Sequence, residues 1–181
     1  MISPHRSPRL LPALLMLTAL LLAAPAHAGG VHDFDFIFGD WKVHHRFLKA
    51  GTTTWAEFEG TSTTQPIMGG AGNLEDNVLQ RPGGTYRAAA MRAYDAATGQ
   101  WAMWWVDGRN PHGPIDPPVK GGFENGVGQF YSDDIVNGQP LRTRYTWSHI
   151  TPTSARWAQA FSKDGGKTWE TNWVMDFTRV K

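Results

Sequence analysis

The chain contains no cysteine. That removes disulfides, thiol nucleophiles and thiolate metal sites together, so the fold must hold by packing and backbone pairing alone. It also lacks charge of either sign in excess, with 17 basic against 16 acidic residues in 181. A near-neutral chain has no electrostatic footprint for nucleic acid or an anionic membrane surface, and neither is expected as a partner. After residue 28 no segment repeats apolar residues at i, i+3, i+4 and i+7, so no amphipathic helix is predicted. Internal repeats and low-complexity tracts are absent there too. So are a nucleophile elbow, a phosphate-binding glycine loop before a helix, and His-Glu-x-x-His.

The first 28 residues stand apart. Arg6 and Arg9 precede an almost wholly apolar run, Leu10 to Ala24, and Ala26-His27-Ala28 follows with small residues on either side of a histidine. This is the pattern of a secretory signal peptide, with an apolar run short for a membrane span. With no cysteine after that run a lipid anchor is excluded, and without paired arginines before it the twin-arginine route is not expected. We therefore expect residues 1–28 to be a signal peptide and residues 29–181 one domain, periplasmic or secreted, with no membrane insertion of the mature chain. That length suffices for one hydrophobic core.

What the domain does have is aromatic residues, glycine and turn signals. All nine tryptophans fall at or after Trp41. Short alternating runs are punctuated by turn residues. Strands are predicted at 41–48, 54–64, 73–79, 85–94, 101–107, 119–124, 127–134, 141–149, 155–162 and 168–178. Asn125-Gly126 and Asn137-Gly138 are type I′ hairpin dipeptides. Gly108–Pro118 is the longest irregular stretch, with four prolines. About ten strands joined by short hairpins favour an antiparallel up-and-down barrel, which also removes sheet edges.

Gly39-Asp40-Trp41 opens the first strand and Asp176-Phe177-Thr178-Arg179 ends the last. This pairing resembles the calycin signature of lipocalins and fatty-acid-binding proteins. The resemblance implies that Gly39 lets the chain turn, that Trp41 plugs the closed end, and that Arg179 packs on its ring, a cation–π contact of roughly 0.5–2 kcal/mol. Asp33-Phe-Asp-Phe-Ile-Phe-Gly-Asp-Trp41, Trp101-Ala-Met-Trp-Trp105 and Asp164-Gly-Gly-Lys-Thr-Trp-Glu-Thr-Asn-Trp173 extend the likeness. On these stretches the chain is similar to an uncharacterised bacterial family of exported, lipocalin-like β-barrel domains. The resemblance implies the fold and no activity.

Ser162-Lys-Asp-Gly-Gly-Lys-Thr-Trp169 fits the Asp-box hairpin of sialidase propellers. One copy builds no propeller, so Asp164 is expected to cap a turn and no glycosidase follows.

His44 and His45 are strand neighbours on opposite faces and so cannot chelate one metal together; no metal site is expected. If Trp41 is interior, His45 shares its face. Trp169, Thr171, Trp173 and Met175 would follow Arg179 inward by parity. Candidate ligand-binding residues are His45, Trp105, Arg144, Gln159 and Trp173, because a pocket is mostly apolar with a few placed polar groups. Arg92 is a further candidate anchor. Glu57, Glu59 and Asp107 are candidate acid or base groups without a readable partner.

The leading expectation is an exported protein binding a small apolar or amphipathic ligand inside an aromatic-lined barrel, without a cofactor. A haem variant would need His45 as axial ligand. The alternatives are a small-molecule isomerase, cyclase or hydrolase on the same barrel, which lacks a convergent acid, base and nucleophile, and a filled barrel acting as an interaction module through Gly108–Pro118.

Overall fold

The computed structural model describes residues 29–180. The expected signal peptide lies outside the described residues. A single 3-10 turn, Asp35–Ile37, precedes the first strand. The strands are β1 (Gly39–Leu48), β2 (Trp55–Ile67), β3 (Gly72–Arg81), β4 (Gly84–Asp95), β5 (Gln100–Asp107), β6 (Val119–Glu124), β7 (Val127–Val136), β8 (Gln139–Ser148), β9 (Ser154–Ser162) and β10 (Glu170–Arg179). Each pairs antiparallel with its sequence neighbours, and β1 pairs with β10, closing an up-and-down barrel. The all-β, ten-stranded barrel expected from hairpin punctuation is the observed architecture. Closure pairs every strand on both sides over at least part of its length, so that no strand is an edge strand throughout in a chain without disulfides.

Local chemistry sets the register. Asn125 and Gly126 have φ of 51° and 77°, and Asn137 and Gly138 have 51° and 75°. Two consecutive positive φ values match the twist of the flanking strands, and so pin Glu124 opposite Val127 and Val136 opposite Gln139. Strand β2 runs past the expected Thr64 to Ile67. Its Pro66 lies beyond Thr64, the last residue paired with β1, where one side of the strand is free and the missing N–H costs no ladder bond.

Two expectations of facing, those for Trp169 and Thr171, fail for a single reason. The register between β10 and β9 shifts between Thr171 and Trp173. An extra residue reverses side-chain parity. Trp173, Met175 and Phe177 point inward as expected, whereas Trp169 sits on the outer surface. There the Arg144 guanidinium lies 4.3 Å from the centre of its ring, and Tyr131 packs beside it at 6.1 Å.

The end of the barrel where β1 begins and β10 finishes is plugged. Trp41 is buried and donates from Nε1 to the Ile37 carbonyl at 2.8 Å. Arg179 lies over its indole at 4.2 Å. The segment before β1 contributes the deepest part of the plug. Phe34 is fully buried and packs edge-on against Trp101 at 4.9 Å and Phe123 at 5.0 Å. Trp147, Phe130 and Phe177 complete the apolar floor.

Candidate functional site

Above this floor the barrel is hollow. A cavity of about 260 Å³ lies at mid-height. One wall is apolar and aromatic: Trp157, Trp173 and Met175 from β9 and β10, Tyr145 from β8, and Met103 from β5. Trp157 and Trp173 meet edge to face, centroids 5.5 Å apart at 85°. Tyr145 lies 5.7 Å from Trp157, and burial, the main cause, pushes its phenol pKa up, so it remains a neutral hydroxyl.

The opposite wall is polar and comes from β3 and β4. Their register sets Asn73 opposite Arg92 and Glu75 opposite Ala90. Arg92 Nη1 donates to Asn73 Oδ1 at 2.8 Å, and Nη2 donates to a Glu75 carboxylate oxygen. Ser62 Oγ donates to the other oxygen of Glu75 at 2.5 Å. The ion pair is deeply buried, Arg92 being 4 % and Glu75 3 % exposed. Such a pair is tolerated out of water only when its remaining hydrogen-bonding capacity is matched. That matching is incomplete here. Arg92 Nε, Asn77 Nδ2 and Trp147 Nε1 are buried and have no hydrogen-bond partner among the described residues. All three residues line the cavity. Ala90, whose side chain is small, leaves the space beside Glu75 and Asn77 open.

A gap in the barrel wall adjoins the cavity. Strand β5 pairs with β6 only over Trp101–Met103. Beyond Met103 the two strands diverge into the 108–118 loop. Trp104, Trp105, Asp116 and Pro117 line the cavity at this gap. Trp105 faces the interior yet is 41 % exposed, as its place at the opening requires. A separate hollow at the unplugged end of the barrel is bounded by Phe47, Phe58, Arg81, Tyr86 and Arg109.

No family model matches the chain, and no curated protein matches it. Among solved structures it is similar to the S-type phycobiliprotein lyase CPES from Guillardia theta, with a TM-score of 0.54 at 9% identity, over 82% of this chain and 90% of that one. At that identity the likeness shows the fold alone, a lipocalin-like barrel.

The residues singled out from sequence divide into three groups. Trp105, Gln159 and Trp173 line the cavity together, with Gln159 Nε2 donating to Asn172 Oδ1 at 3.3 Å. His45 is interior but sits one layer behind. It stacks on Phe58, centroids 4.5 Å apart at 9°, and its Nδ1 accepts from Trp173 Nε1 at 3.3 Å. That hydrogen bond makes Nδ1 the acceptor and leaves the proton on Nε2, which lies against Gly60: a Cβ at residue 60 would fall 2.8 Å from it. Neither nitrogen is offered to the cavity, so His45 is placed neither to orient a ligand there nor to ligate a haem. Burial first, then the His44 and Arg81 charges, push its pKa down to about 4.

Arg144 is a correction. It alternates with the inward Thr143 and Tyr145, faces outward, and stacks on Trp169. Gly39, Trp41 and Arg179 occupy the closed end, Gly39 with φ of 95°. His44 is outside, bonded to Glu59 Oε1 at 2.7 Å. Asp107 is held by Arg109, as an exposed pair. Among the described residues no group of three or more His, Asp or Glu side chains converges to hold a metal ion.

Glu75, Asn77, Asn73, Ser62 and Tyr145 were not singled out. A signal for the first three exists. Pro82-Gly83 is a two-residue turn, and counting outward from Arg81 opposite Gly84 brings Asn73 to Arg92 with Glu75 one inward position along. Leu74 and Val78 of β3 invite the opposite facing, while Leu79 shares the inner face with Asn73, Glu75 and Asn77, so apolar alternation along this strand conflicts with itself.

Proposed function

We propose that the chain is an exported protein that binds a small, mostly apolar or amphipathic molecule within its barrel. The observation that carries this reading is the cavity of about 260 Å³ between aromatic side chains and a buried polar wall. Its size is near the lower edge of small-molecule sites, which run roughly 300–1,000 Å³. Its composition is that of such sites, apolar surface with a few fixed polar groups. A filled core would have placed packed side chains at this level. Export rests on the composition of residues 1–28, and kinship with exported lipocalin-like domains on the stretches that resemble them.

The test is intrinsic fluorescence of the mature protein against a panel of bicyclic aromatics and short fatty acids. Trp105, Trp157 and Trp173 line the cavity, so a ligand there changes emission in a saturable way. Absence of a saturable change with every compound would sink the binding reading. Cell fractionation, with the amino-terminal sequence of the exported form expected to begin at Gly29, tests the export.

A further inference from the structure

Resting on the reading of the barrel as a small-molecule site, we infer that its ligand is a flat, uncharged molecule presenting a hydrogen-bond acceptor, in the simplest case a carbonyl, to the β3–β4 wall.

The first support is the sign of the unmet hydrogen bonds. Arg92 Nε, Asn77 Nδ2 and Trp147 Nε1 all carry N–H groups and lack a partner among the described residues. Their residues are 4 %, 6 % and 1 % exposed and border one cavity. The N–H atoms themselves are covered in the empty barrel, so an acceptor reaches them only as their side chains turn toward it; the unpaired donors then favour a molecule that supplies acceptors, because an analogue without one leaves them unpaired.

The second support is charge. A lone buried arginine would call for an anionic ligand. Arg92 is instead paired with Glu75, and the remaining charged side chain on the lining is Asp116, at the gap between β5 and β6. An entering carboxylate would pass Asp116 and come to rest beside Glu75, losing its hydration without gaining an uncompensated cation. A neutral carbonyl accepts the same hydrogen bonds without that penalty.

The third support is shape. The apolar wall is built from the ring faces and edges of Tyr145, Trp157 and Trp173. Aromatic partners favour offset-stacked and edge-to-face contacts, which a planar ring system makes with this wall. The cavity volume suits a molecule of two fused rings rather than a long chain.

Calorimetric titration of the mature protein at pH 7 with three probes of one skeleton tests the inference. These are 2-acetylnaphthalene, which is neutral with a carbonyl, 2-naphthoate, which is anionic, and 2-ethylnaphthalene, which has no acceptor. The ketone is expected to bind about tenfold or more tightly than either of the others. Naphthoate binding as well as the ketone would overturn the claim of neutrality, and ethylnaphthalene binding as well would overturn the claim of an acceptor. Either result leaves the binding reading standing; no binding by any of the three overturns the inference alone, and the binding reading falls with it only if the fatty acids of the fluorescence panel also give no saturable change. In Asn77→Leu the ketone's advantage over ethylnaphthalene should shrink by about tenfold, the effect of one donor. An unchanged advantage would remove Asn77 from the site. In Glu75→Gln the Arg92 charge is released and naphthoate should overtake the ketone. Naphthoate remaining the weaker ligand in that folded variant would refute the charge argument. Should circular dichroism show Glu75→Gln unfolded, the wild-type order and Asn77→Leu decide the matter.

Discussion

Arg179 and Trp41 are direct partners in the β1–β10 register, and the guanidinium of one lies 4.2 Å from the ring centre of the other. The same guanidinium donates to the carbonyls of Phe36 and Phe38, each at 2.6 Å, and of Pro152 at 2.7 Å. One side chain therefore ties together the segment before β1, the β8–β9 connection and the last strand. Arg179→Ala should cost about 3 kcal/mol, combining the cation–π contact with charge-assisted hydrogen bonds. At roughly 2–4 °C per kcal/mol for a domain of this size, thermal melting by circular dichroism should show a drop of about 10 °C. Arg179→Lys should lose most of it too, since an ammonium cannot serve three carbonyls in a fixed fork.

His45 makes stability depend on pH. Its pKa is about 4 in the folded barrel against 6.5 ordinarily. Between those values the unfolded chain takes up a proton that the folded one refuses. Stability should therefore be fully present above pH 6.5, fall as pH drops toward 4, and stop changing on this account below 4. The loss is about 3 kcal/mol. Urea unfolding of the wild type and His45→Gln between pH 7 and 4 isolates this part, with the variant expected to show the shallower slope. Equal slopes would refute it.

The Glu75–Arg92 pair should show strong coupling. Arg92→Met alone leaves a buried carboxylate unpaired, and Glu75→Leu alone leaves a buried guanidinium unpaired. Each single change should cost about 3–5 kcal/mol. The double variant should recover most of that, because breaking a buried pair costs more than replacing it by apolar side chains. A double-mutant cycle by urea unfolding measures the difference, and additive single losses would contradict the pairing.

Asp164 organises the β9–β10 hairpin. It accepts from the Lys167 and Thr168 amides at 3.0 Å each, and from the hydroxyls of Thr168 and Ser162 at 2.7 Å each. The Thr168 amide, its hydroxyl and Ser162 hold the carboxyl well below its usual range. The ordering it supplies should be present above pH 4 and lost in stronger acid. Asp164→Ala should speed hydrogen exchange at the Thr168 amide at neutral pH while leaving exchange in β3 and β4 unchanged. The Asp-box pattern thus acts here as a turn, with Gly165 and Gly166 at φ of 73° and 93°.

Much of the barrel is readable along the chain because hairpins are local. Asn125-Gly126 and Asn137-Gly138 each specify a turn from two residues, and alternation over five or more positions specifies a strand. The same alternation correctly separates Val43, His45 and Phe47 from His44. It misplaces Trp169, because one bulged residue reverses parity and nothing in Glu170-Thr-Asn-Trp173 announces the bulge. For Arg144 parity alone is silent until an anchor such as Trp147 is known to point inward.

By itself, then, the sequence determined the class of fold, the strand count, the turn types and the pairing of the first strand with the last through Trp41 and Arg179. Those features depend on interactions between residues close in the chain or on a signature at its two ends. Only the tertiary structure decided that the middle of the barrel is hollow, that His45 backs Trp173 instead of facing the cavity, and that Arg92 is already neutralised by Glu75. A cavity is volume left over after side chains from all around a closed sheet have met. No single strand carries that remainder, and it exists only once the barrel has closed.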